Sequence, residues 1–110
     1  LNKLYAEDSY GGDTPEETLR LFVDALKKGD TDLAAKYFVL DKQQEWKQNL
    51  ATIKDKGLLD EMIGDLEKLE KTKENSDEVF YVAANDKNVV SIQLIISRNP
   101  HNKTWKIYEL

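Results

Sequence analysis

One histidine and no cysteine stand among the 110 residues, so the side chains that most often supply nucleophiles, zinc ligands and proton transfer near neutrality are almost missing. His101 follows Asn99-Pro100 in a turn-forming run, with no second group placed to orient it, and reads as a loop residue. Asp24 sits beside Val23 but off the apolar stripe of its segment, which makes it a solvated carboxylate and not a buried base. Asp30 and Asp32 have the spacing of a calcium-loop fragment, yet the further ligands and closing Glu are absent, and helix capping accounts for Asp30. Gly11-Gly12 precedes a helix start, but Asp8 and Asp13 flank it and no Lys or Ser/Thr stands where a phosphate cradle needs one. Asn102-Lys103-Thr104 matches a glycosylation acceptor, a triplet common by chance. No catalytic residue, no metal site and no cofactor are expected.

Aromatic residues are the remaining candidates for contact with a ligand. Phe22, Tyr37 and Trp46 lie on helical segments and Trp105 on a strand segment, and together they would suit a concave face taking a small apolar ligand. Core is the default account of the same residues, since aromatics dominate the packing of small domains. Periodicity does not separate these two readings.

The elements that must position them follow from composition and pattern. A chain of 110 residues holds one domain, which buries about two-thirds of the surface its unfolded form exposes. The hydrophobic share of 40% supports such a core without disulfides. The net charge of −5 and the mixing of Lys with carboxylates, as in Lys68-Leu69-Glu70-Lys71-Thr72-Lys73-Glu74, argue against nucleic acid as a partner. The longest apolar-rich run, residues 89–96, is broken by Ser91 and Gln93 and is far short of a bilayer span. The chain opens on Leu1 without Met, which leaves room for an export signal or a membrane anchor upstream.

Residues 1–12 show no sustained period and read as a tether, and residues 13–110 as a single α+β domain. Thr14-Pro15-Glu16-Glu17 is a helix start, with a capping hydroxyl, Pro at the first helical position and Glu closing a capping box. Leu19, Phe22, Val23 and Leu26 fall on one face of that helix, and Lys27-Lys28-Gly29 ends it. Asp30 caps a second helix with Leu33, Ala34, Tyr37 and Phe38 as its buried side; Val39-Leu40 is expected to be extended. A third helix is expected from Asp41, with Trp46, Leu50 and Ile53 in line and Gly57 at its end. Leu58, Leu59, Met62, Ile63 and Leu66 then keep helical spacing, so Gly57 marks a bend between two helices. Residues 68–74 fit a helix tail and a strand equally. Residues 78–84, 88–97 and 104–110 read as an antiparallel meander separated by Asn85-Asp86-Lys87 and Arg98-Asn99-Pro100-His101-Asn102-Lys103. In the long strand, Val90, Ile92, Leu94 and Ile96 share an apolar face, while Val89, Ser91, Gln93, Ile95 and Ser97 share a half-polar one. The architecture expected is therefore N-terminal helices packed on a curved antiparallel sheet of three or four strands, with Trp46 and Trp105 between the layers.

The stretch from Thr14-Pro15-Glu16-Glu17 through Phe22-Val23-Asp24-Ala25-Leu26-Lys27-Lys28-Gly29-Asp30 and Ala34-Ala35-Lys36-Tyr37-Phe38, closed by Thr104-Trp105-Lys106-Ile107, resembles nuclear transport factor two-like domains. The likeness is to small, uncharacterised bacterial members of that cystatin-like cone superfamily, some of them exported or lipid-anchored. What it implies is a cone of helices over a curved sheet, with a pocket in larger members and with dimers formed through the sheet. Enzymes that the resemblance brings in use a pocket carboxylate or His beside a Tyr, and no residue here matches such a dyad by motif. The function expected is a noncatalytic binding or accessory domain, exported or membrane-tethered, taking a small apolar ligand or a protein partner and pairing as a homodimer through the face of Ser91, Gln93 and Ile95. The alternative is a small lyase or isomerase acting on a hydrophobic substrate in the cone pocket.

Overall fold

A computed structural model describes residues 10–84, 90–100 and 102–110, with the side chains of Val90 and Ser91 excluded. Most of the expected tether (residues 1–9), the Asn85-Asp86-Lys87 turn with Asn88 and Val89, and His101 lie outside the described residues.

Helix α1 spans Pro15–Lys27 and starts as its sequence dictates, with the Thr14 hydroxyl accepting the Glu17 backbone N–H at 3.1 Å. At its end Gly29 turns to φ 70°, and the N–H groups of Gly29 and Asp30 donate to the carbonyls of Leu26 and Ala25 at 2.9 and 3.0 Å. This paired closure satisfies two terminal carbonyls in a conformation that an L side chain resists. Gly57, at φ 73°, closes helix α3 (Gln43–Asp55) in the same way, its N–H and that of Leu58 donating to Lys54 and Ile53. Helix α4, Leu59–Leu66, follows the bend at once. Leu58, expected in the apolar stripe, is 42% exposed because it serves as the residue that leaves the bend.

Helix α2 is shorter than the apolar spacing suggests. It covers Thr31–Ala35, with the Asp30 carboxylate accepting the Leu33 N–H at 3.0 Å, and Tyr37 and Phe38 lie beyond it. The cause is tertiary: the Ile107 N–H donates to the Tyr37 carbonyl at 2.8 Å and the Val39 N–H to the Ile107 carbonyl at 2.9 Å, which forms a parallel bridge at Phe38. Extended backbone stops at Val39, since Leu40–Lys42 winds into a 3₁₀ turn. Asp41 lies inside that turn and Lys42 occupies the position before α3, so the expected helix start at Asp41 moves two residues on.

Four strands, β1 (Glu70–Glu74), β2 (Glu78–Ala84), β3 (Val90–Arg98) and β4 (Trp105–Glu109), form an open antiparallel sheet in the order β1-β2-β3-β4. The fold class is α+β, with the helices N-terminal to the sheet. Residues 68–74, open between helix and strand in the sequence, are settled by pairing to β2; all five residues of β1 are exposed, so the strand carried no apolar alternation to read. Register shifts at Lys71/Lys73, Ala83/Ala84 and Ile95/Ile96 bend the strands locally. The last of these, with the β4 pairing, leaves Ile95 only 9% exposed despite its place on the half-polar face.

The buried face of the sheet carries Val79, Tyr81, Leu94, Ile96 and Ile107, and Phe22, Leu26, Phe38, Leu50 and Leu66 pack on it from the helices. Its β4 edge is covered. Gly12 bridges Trp105, and the Thr18 hydroxyl, fully buried, accepts the Gly12 N–H and donates to the Trp105 carbonyl, both at 2.8 Å. The β1 edge is guarded by charge and by its bulge, which disfavours pairing with another strand.

A candidate ligand groove between helix α1 and the sheet

None of the grooves described for this molecule is lined by Phe22, Tyr37, Trp46 or Trp105. Phe22, fully buried, meets Phe38 edge to face with ring centroids 5.5 Å apart, and Phe38 stacks on Trp46 at 4.8 Å. This ladder is core packing. Tyr37 is 8% exposed and faces Tyr10 edge-on at 6.4 Å, where burial first, and then the neighbouring Tyr10, push its phenol above the ordinary value. Trp105 is half-buried with the Arg98 guanidinium 6.0 Å from its ring centroid. Both indoles border the core without being enclosed by it.

A groove of about 430 Å³ opens elsewhere, between α1, the end of α4 and the β1–β2 pair. Leu19, Val23, Leu66, Leu69 and Tyr81 line it. Its helix wall repeats at i, i+3, i+4, i+7, i+8 and i+11, from Glu16 to Lys27, so it follows one stripe of α1 for about 16 Å at 1.5 Å per residue. Ion pairs edge it: Arg20 to Asp24 at 3.2 Å, Lys27 to Glu67 at 3.7 Å, and Lys71 to Glu16 at 3.3 Å. Lys71 is shared with Glu74, also at 3.3 Å, and all of these pairs are solvated and add little stability.

Tyr81 is the chemically distinctive residue here. It is 5% exposed, and its hydroxyl is enclosed with no hydrogen-bond partner among the described residues. Burial, first, and then the carboxylate of Glu16 push its phenol up, against a smaller lowering by Lys71, so the hydroxyl keeps its proton. A buried hydroxyl without a partner is a donor in want of an acceptor. Tyr81 and Glu16 both line the groove, and Lys71 pairs with Glu16 at its edge.

A smaller cavity, about 210 Å³, lies at the β3–β4 end under Val39 and Leu40. Lys106 reaches its wall, 2% exposed, with its ammonium donating to the carbonyls of Tyr10 and Lys36. That cation closes the N-terminal segment and the 36–40 segment onto β4, a structural duty. Among the described residues no cluster of three or more His, Cys, Asp or Glu could hold a metal ion, and no helix is long and apolar enough to cross a membrane. Asp24 sits at the groove rim with its side chain 46% exposed, as its place off the apolar stripe implied.

Sequence reasoning assigned Leu19 and Val23 to the core and did not single out Tyr81. The usable signal was the alternation of Val79, Tyr81 and Ala83, which sends a phenol inward from β2 with no nearby polar residue in the strand to meet it.

A family model described as a domain of unknown function, DUF4878, matches residues 8–94. No curated protein and no solved structure matches the chain.

Proposed function

Because the chain belongs to the DUF4878 family, whose description assigns no activity, we propose its function from the geometry alone: a noncatalytic binding domain that takes an apolar ligand in the groove beside α1. The apolar wall of Leu19, Val23, Leu66 and Leu69, edged by charged side chains, carries this reading. Binding sites are characteristically apolar concavities with a few placed polar groups, and 430 Å³ falls in their usual range. The lyase or isomerase alternative needs a carboxylate or His buried beside a Tyr. The buried polar or charged residues described are Thr18, Asn99 and Lys106, none of them at the groove, and the carboxylates that border it are solvated. The resemblance to nuclear transport factor two-like domains favours the same kind of site, a cavity between helices and sheet. A homodimer through the sheet would use the opposite face, that of Phe80, Val82 and Gln93, and so is compatible with an open groove.

The test is a heteronuclear NMR screen of neutral apolar fragments on the full chain. Binders are expected to move the amides of Leu19, Val23, Leu66 and Leu69 and the Tyr81 ring. Binders that move only other surfaces would sink the reading.

A further inference from the structure

The ion pairs that cross the groove beside α1 have opposite polarity at its two ends. Near the start of α1 the helix supplies the acid and the far wall the base, Glu16 with Lys71 at 3.3 Å; near its end the helix supplies the base and the far wall the acid, Lys27 with Glu67 at 3.7 Å. Between these lie Arg20 and then Asp24. The helix wall therefore runs acid, base, acid, base, and reading it backwards inverts every sign. Each of these six side chains is at least 39% exposed, within reach of a neighbouring molecule.

Such a rim is complementary to itself. A twofold axis lying in the plane of contact and crossing α1 at right angles sets two copies of the helix antiparallel and their grooves face to face. Glu16 then meets Lys27 of the second copy, Arg20 meets its Asp24, and on the far wall Lys71 meets its Glu67, every contact occurring twice. One register serves the helix pairs, since Glu16 stands four residues before Arg20 and Lys27 three residues after Asp24. A parallel setting would bring like charges together instead. Lys71 also holds Glu74, so that end has one carboxylate more than it has lysines, and the antiparallel setting turns it toward Lys27 of the second copy. Between the charges lie Leu19 and Leu69, both half-buried in the single chain, whose remaining apolar surface the second copy covers.

We infer that this face is a self-association surface and that its partner is a second copy of the chain, related by that axis. The charges set partner and register, and the apolar strip between them supplies the adhesion. Exposed ion pairs are each worth little and are screened by salt, so the pair is weak and salt-sensitive. The contact uses none of the side chains of the outer sheet face, and it does not depend on the ligand reading: the facing grooves close into one chamber whether or not a ligand fills it.

The experiment compares the wild-type chain, Glu16→Lys, Lys27→Glu and an equimolar mixture of the two variants by sedimentation velocity at up to about 1 mM, where weak pairs assemble. Both substituted side chains are more than half exposed, and thermal unfolding of each variant verifies that it folds. Wild type is expected to dimerise. Each variant alone should associate at least about tenfold more weakly, because a contact made twice becomes one between like charges, and the mixture should regain wild-type association, because each variant offers the sign the other lacks. Glu67→Lys and Lys71→Glu repeat the test from the far wall, alone and mixed. A wild-type chain that stays monomeric overturns the inference. So does association that none of the substitutions weakens, which puts the contact elsewhere, and so do mixtures as weak as their single variants, which rule out the antiparallel register. The fragment screen described above, run where the chain is monomeric, reads the ligand groove separately.

Discussion

Replacing Tyr81 by Phe should stabilise the ligand-free protein. In the unfolded chain the hydroxyl is hydrated; in the folded one it is enclosed, and no partner among the described residues replaces the water it gives up. Leaving a buried hydroxyl unpaired costs about 1–3 kcal/mol, while Phe keeps the ring and its packing against Leu94, its register partner on β3. Part of that penalty is relieved by small shifts, so a gain of about 1 kcal/mol is expected. For an m-value of about 2 kcal/mol/M in urea, this moves the unfolding midpoint up by about 0.5 M with m unchanged. Thermal unfolding should rise by about 4 °C in a domain of this size. The reasoning is refuted if Tyr81→Phe loses about 1 kcal/mol or more at unchanged m, because the hydroxyl would then already hold a good hydrogen bond.

Thr18→Val, close in shape, leaves the Gly12 N–H without an acceptor and takes a donor from the Trp105 carbonyl; a loss of about 2–3 kcal/mol is expected in urea unfolding, with faster hydrogen exchange at Gly12. Gly11→Ala should cost more than Gly57→Ala by about 1 kcal/mol or more in thermal unfolding. A Cβ at Gly11 meets the Trp105 carbonyl oxygen at 2.5 Å, whereas at Gly57 it meets open space and only the left-handed backbone (φ 73°) opposes it. Alkaline pH should destabilise the fold through Tyr81 and Tyr37, whose phenols are raised from 10.0 chiefly by burial. Above pH 10.0 the unfolded state loses these protons first, so stability is flat below that pH and falls as pH rises through the higher native values. Urea titrations at about pH 9 and about pH 11 should show a smaller fall in the double variant Tyr37→Phe, Tyr81→Phe than in wild type.

Local chemistry explains which elements were legible. The Thr14 cap, Pro15 and the apolar stripe of α1 act within one helix, so the pattern alone locates it, and the left-handed glycines at 29 and 57 end their helices through bonds to residues three to five positions back. Strand β2 shows in the same way, because its inward Val79, Tyr81 and Ala83 recur every second residue. Where contacts distant in sequence compete, the pattern misleads. Tyr37 and Phe38 continue a helical spacing, yet with the hydrogen bonds to residue 107 Tyr37 falls in a turn and Phe38 in a bridge beyond the helix; residues 70–74 carry no apolar row, and only the neighbouring strand makes them a strand.

The groove belongs to this second kind. Residue types dictated an α+β layering, a core rich in aromatics and a surface of compensating charge, because burial of apolar area and solvation of charge depend on composition and period. They did not dictate that Phe22 and Trp46 would both pack on Phe38 in one ladder, nor that the inward phenol of Tyr81 would end beside Leu19, Val23 and Leu66 without an acceptor among the described residues. Those outcomes depend on how a helix and a strand some sixty residues apart are set against each other, and that spacing is fixed by packing across the layers, which no local period encodes.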